Sequence, residues 1–408
     1  MMRGFLVVAM TLLVAATSAP AGDWPQFRGP TGDGLSPEKG LLQSWPEGGP
    51  KVLWENTDIG SGWSSVAVVK GTVYTLGHVG EGLMVTAIDP QGKKLWQVRL
   101  DKATNGGGHK GARCTPTIDG QFIYVQSDGG LVACLKAANG EQVWALNYLE
   151  KYKAKQPTWN VAESPLVDGA RVIVTPGGEA ALVALDKNTG QEVWKTEAVD
   201  AKPGYASARI MDYGGLRQVI GYSEKCVFAA NAADGKLLWK LPQENKWFVN
   251  ATSAVWKDGI VFSTCDYGFG CQGIKVEVAD GKATARQIWA KKVLDDHFGG
   301  VVLLGGKVYG TGTNSAGLTA IDLATGEVAY TSREVKKSSN IYGDGRLYCQ
   351  GHDGTVQLVN PADGKVVSKF TLEVKQKGEM WAHPAISDGR LYIRHDSTLS
   401  VYDIKAAR

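Results

Sequence analysis

Apolar positions in this chain come in short runs of three to six residues, alternating with polar ones or unbroken, and a small polar turn closes each run. No window keeps the 3.6-residue period of a helix. The runs come in pairs. Val66–Val69 precedes Val73–Tyr74 across Lys70-Gly71, Pro116–Ile118 precedes Ile123–Val125 across Asp119-Gly120, and Pro165–Val167 precedes Val172–Val174 across Asp168-Gly169. Ala208–Met211, Val255–Trp256, Val301–Leu304, Ile341–Tyr342 and Pro384–Ile386 lead equivalent pairs. β-Branched runs joined by such turns predict hairpins with positive φ at the turn.

A longer signature follows these hairpins and is most complete in Ala184-Leu-Asp-Lys-Asn-Thr-Gly-Gln-Glu-Val-Trp194. Its glycine recurs as Gly92, Gly140, Gly190, Gly235, Gly281, Gly326 and Gly364, each followed by an aromatic: Trp96, Trp144, Trp194, Trp239, Trp289, Tyr330 and Phe370. Successive glycines are 48, 50, 45, 46, 45 and 38 residues apart, and a repeat of about 40–50 residues is the size of a β-propeller blade. One such unit cannot bury its own aromatic face. Stacking units around an axis does bury it.

Each unit reads as four strands, so the fold class is all-β. Seven complete units are followed by three strands ending in Leu399–Asp403, and an orphan strand, Lys51–Asn56, precedes them. Pairing the orphan with the last three closes an eight-bladed β-propeller of four-stranded blades and removes an open sheet edge. The expected organisation is a signal peptide over 1–21, an extended N-terminal segment over 22–50 and a propeller over 51–405. Trp24 and Phe27 are expected to anchor the extended segment on the propeller surface.

The leader carries the compartment. Met1-Met-Arg3, the apolar Phe5–Ala16 and Ala19-Pro-Ala21 have the layout of a signal peptide cleaved after Ala21, which predicts a periplasmic or extracellular protein. No other stretch approaches the roughly 18 apolar residues of a spanning helix, and no cysteine near the cleavage point offers a lipid anchor. A formal charge of +3 gives no electrostatic footprint for nucleic acid. Six cysteines are too few for a disulfide framework. Cys265 and Cys271 flank a hairpin-like Asp266–Gly270 and form the one disulfide candidate.

In a propeller the residues just before each innermost strand converge on one channel mouth. Here these are Ser65, Thr115, Ser164, Ser207, Ser253 or Thr252, Gly300, Asn340 and His383, with Trp63, His109, Lys110, Arg113, Trp159, Glu163, Tyr205, Asn250, Asp296, His297 and Trp381 nearby. The set suits a polar or planar ligand; equally, small polar residues at strand starts satisfy backbone groups or hold channel water. Gly106–Arg113 brings His109, Lys110 and Arg113 together on a glycine loop, which reads either as a site or as a solvated basic loop. Gly268-Phe-Gly-Cys-Gln-Gly273 precedes a strand and is better read as a hairpin loop than as a dinucleotide motif. The histidines show no metal-ligand spacing, and no nucleophile elbow is present.

The Ala184–Trp194 signature resembles the tryptophan-docking repeat of the pyrroloquinoline quinone (PQQ) propellers, over essentially the whole chain after the leader. Trp24-Pro-Gln-Phe-Arg-Gly-Pro30 further resembles exported PQQ-like propellers of planctomycete-type bacteria. The resemblance implies one of two classes: quinoprotein alcohol dehydrogenases, which hold PQQ with calcium above the ring axis, or cofactor-free propellers of the BamB type. The dehydrogenases carry an adjacent cysteine pair and are longer, and this chain has neither feature. The first expectation is therefore a non-catalytic exported scaffold, without cofactor, that binds a protein partner or small polar ligand at one mouth. The second is a PQQ-dependent alcohol or sugar dehydrogenase, with Arg113 and Glu163 as quinone and metal contacts.

Overall fold

The computed structural model describes residues 22–199, 202–298, 300–373 and 379–407; the expected signal peptide lies outside them. Eight four-stranded antiparallel units are present, and the chain is the predicted eight-bladed propeller. Blade 1, for example, comprises Ala67–Val69, Thr72–Val79, Gly82–Ile88 and Lys94–Lys102. Val52–Asn56 pairs antiparallel with Thr398–Asp403, the third of the C-terminal strands, so blade 8 is closed by the two ends of the chain as its orphan strand required.

Local chemistry explains the repeat. Of the predicted Asp-Gly turns, Asp119-Gly120 and Asp168-Gly169 have only the glycine at positive φ, whereas Asp258-Gly259 and Asp388-Gly389 have both residues there, at 52° and 74° and at 54° and 67°. Such turns match the right-handed twist of the flanking strands. In the signature turn, Asp186 Oδ1 accepts from Asn188 N, Thr189 N and Thr189 Oγ1, and Asp322 does the same in blade 6. The aspartate is a turn former, as its spacing indicated.

The aromatic then staples one blade to the next. Indole Nε1 of Trp96, Trp144, Trp194 and Trp289 donates to the carbonyls of Ala137, Lys187, Ala232 and Leu323, at 3.2, 2.9, 3.1 and 3.0 Å. Trp54 and the Tyr330 hydroxyl donate likewise to Pro90 and Pro361. The signature glycine lets the ring approach: a Cβ on Gly190 would stand 2.7 Å from the Trp144 ring. The exception is Trp239, which bonds Gln218 of its own blade, because the next hairpin, Gly270–Ala279 with Lys282–Lys291, overshoots and carries Gly281 away into open space.

The structure corrects two expectations. The hairpin register opposes Cys271 to Thr264 and Cys265 to Gly270, so the two side chains leave opposite faces of the sheet, and both thiols are free. The N-terminal segment does more than lie on the surface. Trp24, fully buried, exchanges backbone hydrogen bonds with Val68 of blade 1, and Pro25 O accepts from Ile118 N of blade 2. The segment then inserts Phe27 and Arg28 into the channel before Leu35–Ser36 pairs with blade 7. Arg28 donates to Asn340 O, Asp33 O and Val301 O and faces His383 Nδ1 at 3.3 Å. Asp23 caps the turn at Lys70 and Glu38 the turn at Asp388 and Gly389, which places the segment on the face of the first hairpin turns. That mouth is covered; the opposite one is open.

Among the described residues one helical turn, Tyr148–Lys151, interrupts the all-β pattern, N-capped by the Asn147 side chain. Four residues leave no periodicity for a sequence to show.

Candidate functional site

The loops entering each innermost strand build the open mouth. Trp63, His109, Trp159, Tyr205, Phe298 and Trp381 project from them over a cup of about 200 Å³ whose floor is Phe27. The rings of Trp63, His109, Trp159, Phe298 and Trp381 form one contiguous surface. Trp381 lies 4.8 Å from Trp63 and 4.8 Å from Phe298, nearly parallel to the latter at 23°. His297 stacks on Phe298 at 4.0 Å, and His109 sits 5.6 Å from both Trp159 and Trp381. The Trp159 ring packs on Gly107, where a Cβ would stand 2.2 Å away. Glycine in this loop therefore seats a tryptophan.

Charge enters the cup at its rim. The Arg113 guanidinium lies 4.9 Å from the Trp63 ring centre and donates to Gly111 O and His109 O. Burial lowers its pKa from the usual arginine value. Lys337 Nζ sits 4.6 Å over Phe298 and bonds Thr313 Oγ1; desolvation lowers its pKa too. His297 faces Asp266 and Lys337 from Nδ1 and Tyr267 from Nε2, and burial followed by the Lys337 charge brings it down to about 4. A planar apolar body carrying a negative charge is the ligand shape such a cup suits.

A family profile described as outer membrane protein assembly factor BamB matches residues 81–332. The chain belongs to this family. BamB of Burkholderia pseudomallei (strain K96243) is 27% identical over 268 residues, 62% of this chain and 61% of that protein. The quinoprotein alcohol dehydrogenase PedH of Pseudomonas putida is 25% identical over 264 residues, 62% of this chain and 39% of that protein. The chain thus spans less than two thirds of either relative's length. Among solved structures, BamB from Moraxella catarrhalis superposes with a TM-score of 0.58 at 16% identity, covering 85% of this chain and 99% of that one. Quinohemoprotein alcohol dehydrogenase from Comamonas testosteroni gives 0.69 at 14%, covering 96% and 82%. At such identities these likenesses show the propeller fold alone.

Within this BamB-family propeller, the sequence-derived site residues divide into two groups. His109, Arg113, Trp159, Ser164, Tyr205, Ser207, His297, Trp381 and His383 line the cup. Lys110 points to solvent. Glu163 is buried and turned to Thr175 N at 2.8 Å, and burial raises its pKa to about 7. Asn250 is saturated by Ser223 O, Gln243 O and Gln243 Nε2. Asn340 bonds Ser338 with both ends of its amide. The strand-start hydroxyls act as inter-blade staples: Ser65 N donates to Thr115 Oγ1, Thr115 N to Ser164 Oγ and Ser164 N to Ser207 Oγ, at 3.0, 3.0 and 2.9 Å. Phe27, Tyr267 and Phe298 were missed: Phe27 and Tyr267 lie in no repeat position, whereas Phe298 stands two residues before Gly300, as Trp63, Tyr205 and Trp381 stand before Ser65, Ser207 and His383, and that spacing could have found it.

PQQ with calcium is a poor fit. The aromatic walls and Arg113 suit a planar acid, but Glu163 faces into the blade and the Asn250 amide is bonded at both ends to Ser223 and Gln243. Among the described residues no group of three His, Cys, Asp or Glu side chains is placed to hold a metal ion.

His383 supplies a pH-dependent term. Its Nε2 bonds Phe298 O at 2.7 Å, which makes Nε2 the protonated nitrogen and leaves Nδ1 aimed at Arg28. Burial, then the Arg28 charge, lowers its pKa from 6.5 to about 3. The unfolded chain therefore takes up a proton below about pH 6.5 that the folded chain refuses, so this stability is present above pH 6.5 and is lost as pH falls. By pH 4 the loss is on the order of 3 kcal/mol. Glu163, raised rather than lowered, works in the opposite sense, so a variant isolates the histidine. His383→Asn is expected to flatten the fall in urea-denaturation stability between pH 6.5 and 4; an unchanged slope refutes the assignment.

Proposed function

We propose that this protein is an exported, non-catalytic scaffold whose open mouth binds a protein segment or small molecule through a planar apolar group, with Arg113 drawing an adjacent negative charge. One observation carries the reading: an uninterrupted aromatic surface lines the open mouth, while Glu163, Asn250 and Asn340 spend their hydrogen bonds inside the blades. Aromatic rings bury large areas at low entropic cost, which is why such surfaces dominate binding energetics. Membership of a family described as an outer membrane protein assembly factor supports a binding role over a catalytic one.

The test uses 1-anilinonaphthalene-8-sulfonate, a planar apolar anion. Fluorescence titration of the full chain is expected to show saturable binding near one equivalent, weakened at least tenfold by Trp381→Ala. Non-saturable binding, or equal binding by the variant, overturns the reading. In a parallel arm, the protein is incubated with PQQ and Ca²⁺ and dye reduction is followed with alcohols and sugars. No substrate-dependent rate is expected, and a saturable rate would establish the oxidoreductase instead.

A further inference from the structure

We infer that the covered side of the channel holds a second site, a chamber behind the N-terminal segment in which Arg209 binds a small free oxyanion. Phe27 divides the channel. Above it lies the aromatic cup; below it lies a cavity of about 360 Å³, lined among others by Gln26, Thr31, Asp33, Thr117, Arg209 and Trp256. Water occupies about 30 Å³ per molecule in the liquid, so the chamber has room for a small acid with its hydration.

Arg209 opens the innermost strand of blade 4 and is only 9% exposed. Its guanidinium stands 5.5 Å from the Trp256 ring centre, and the N-terminal segment closes over it so tightly that a Cβ on Gly32 would lie 2.1 Å from Nη1. Among the described residues it donates no hydrogen bond to a protein acceptor. The same fold satisfies another buried guanidinium thoroughly: Arg394 donates to Gly60 O, Ser64 O, Leu76 O, Asp396 O and Thr75 Oγ1. Leaving a buried charged donor unmatched is costly, and the contrast marks Arg209 as a donor kept for something else.

The local charge agrees. Arg28, buried beside the chamber, is close enough to repel Arg209, and Asp33 is the nearby acid that acts on both. Asp33 does not pair with Arg209; its carboxylate accepts from Thr31 Oγ1 and Leu35 N. Arg217, at the rim, already pairs with Asp168 and Asp212. Arg28 also has the charge of Asp296 acting on it, whereas Asp33, bonded within its own loop, is the one carboxylate acting on Arg209. A guanidinium fork offers two parallel N–H groups to two oxygens of one anion, which selects carboxylate, phosphate or sulfate over a halide.

The test is thermal unfolding of the full chain in sodium acetate, phosphate or sulfate against sodium chloride at matched ionic strength. The expected result is a saturable rise in Tm with at least one oxyanion and none with chloride, lost in Arg209→Gln and kept in Arg217→Gln. A rise equal in chloride, or unchanged in Arg209→Gln, overturns the proposal. Should Arg209→Gln not fold, wild-type crystals soaked in sodium selenate decide it. An anomalous selenium peak within hydrogen-bond distance of Arg209 supports the site, and its absence at an otherwise soaked crystal overturns it.

Discussion

Trp194→Ala is expected to lower the free energy of unfolding by about 3–5 kcal/mol, the usual cost of deleting a buried tryptophan side chain. Trp194 is 6% exposed and packs into the seam between blades 3 and 4. Its ring lies against Gly235, where a Cβ would stand 2.5 Å away, and its Nε1 donates to Ala232 O at 3.1 Å. Truncation removes the ring and leaves that carbonyl with Arg171 Nη1 as its remaining side-chain donor; the neighbouring blades are held by their own staples and cannot collapse into the gap. Trp194→Phe keeps most of the packing and loses only the hydrogen bond, so it should cost about 1–2 kcal/mol. Urea denaturation of both variants checks this, and a loss below 1 kcal/mol for the alanine variant shows that the signature aromatic does not hold blades together.

Arg394→Met is expected to cost a similar amount, about 3–5 kcal/mol, because it strips the donors from a buried polar network. Arg394 belongs to the second strand of blade 8, yet four of its five acceptors, Gly60 O, Ser64 O, Thr75 Oγ1 and Leu76 O, belong to blade 1 and the loop leading into it. It therefore ties the last blade to the first, beside the seam that Val52–Asn56 closes. Burial lowers its pKa to about 9, still ionised at neutral pH. Loss of this tie exposes sheet edge, and exposed edges pair between molecules. Light scattering should show the variant associating at temperatures where the wild type stays monodisperse. Stability within 1 kcal/mol of wild type would place ring closure in the strand pairing alone.

The propeller was legible because its determinants repeat. Asp186 and Asp322 build the same turn with the same three bonds, and an indole donates to the following blade at one geometry after another. Where one copy is irregular, at Gly281, the spacing to Trp289 had already stretched, and the structure gives the cause in an overlong hairpin.

The site was legible in outline. Converging strand starts brought together ten of the residues that line the cup, Trp63 among them, but showed neither which mouth is open nor the character of the surface. Ser65, Thr115, Ser164 and Ser207 read either as ligand donors or as groups that satisfy backbone, and each makes a backbone hydrogen bond to a neighbouring blade. Trp63 and Trp381 each stand two residues before a strand start, Ser65 and His383, so the sequence placed both at one mouth but did not show their rings in contact. Phe27 and Arg28 reach the channel only through the path of the N-terminal segment, which has no periodicity to read. The unmatched state of Arg209 depends on what the whole fold leaves near it.

The central claim is that one mouth is sealed by the chain's own N-terminal segment and the other presents the aromatic cup as the binding surface. Its most direct test is a crystal structure of the full chain with 1-anilinonaphthalene-8-sulfonate. Density stacked against Trp63, Trp381 and Phe298, with the sulfonate toward Arg113 and residues 24–41 in place over the opposite mouth, is the expected result. Dye seated at the opposite mouth with that segment displaced, or an empty cup at saturating dye, would contradict it.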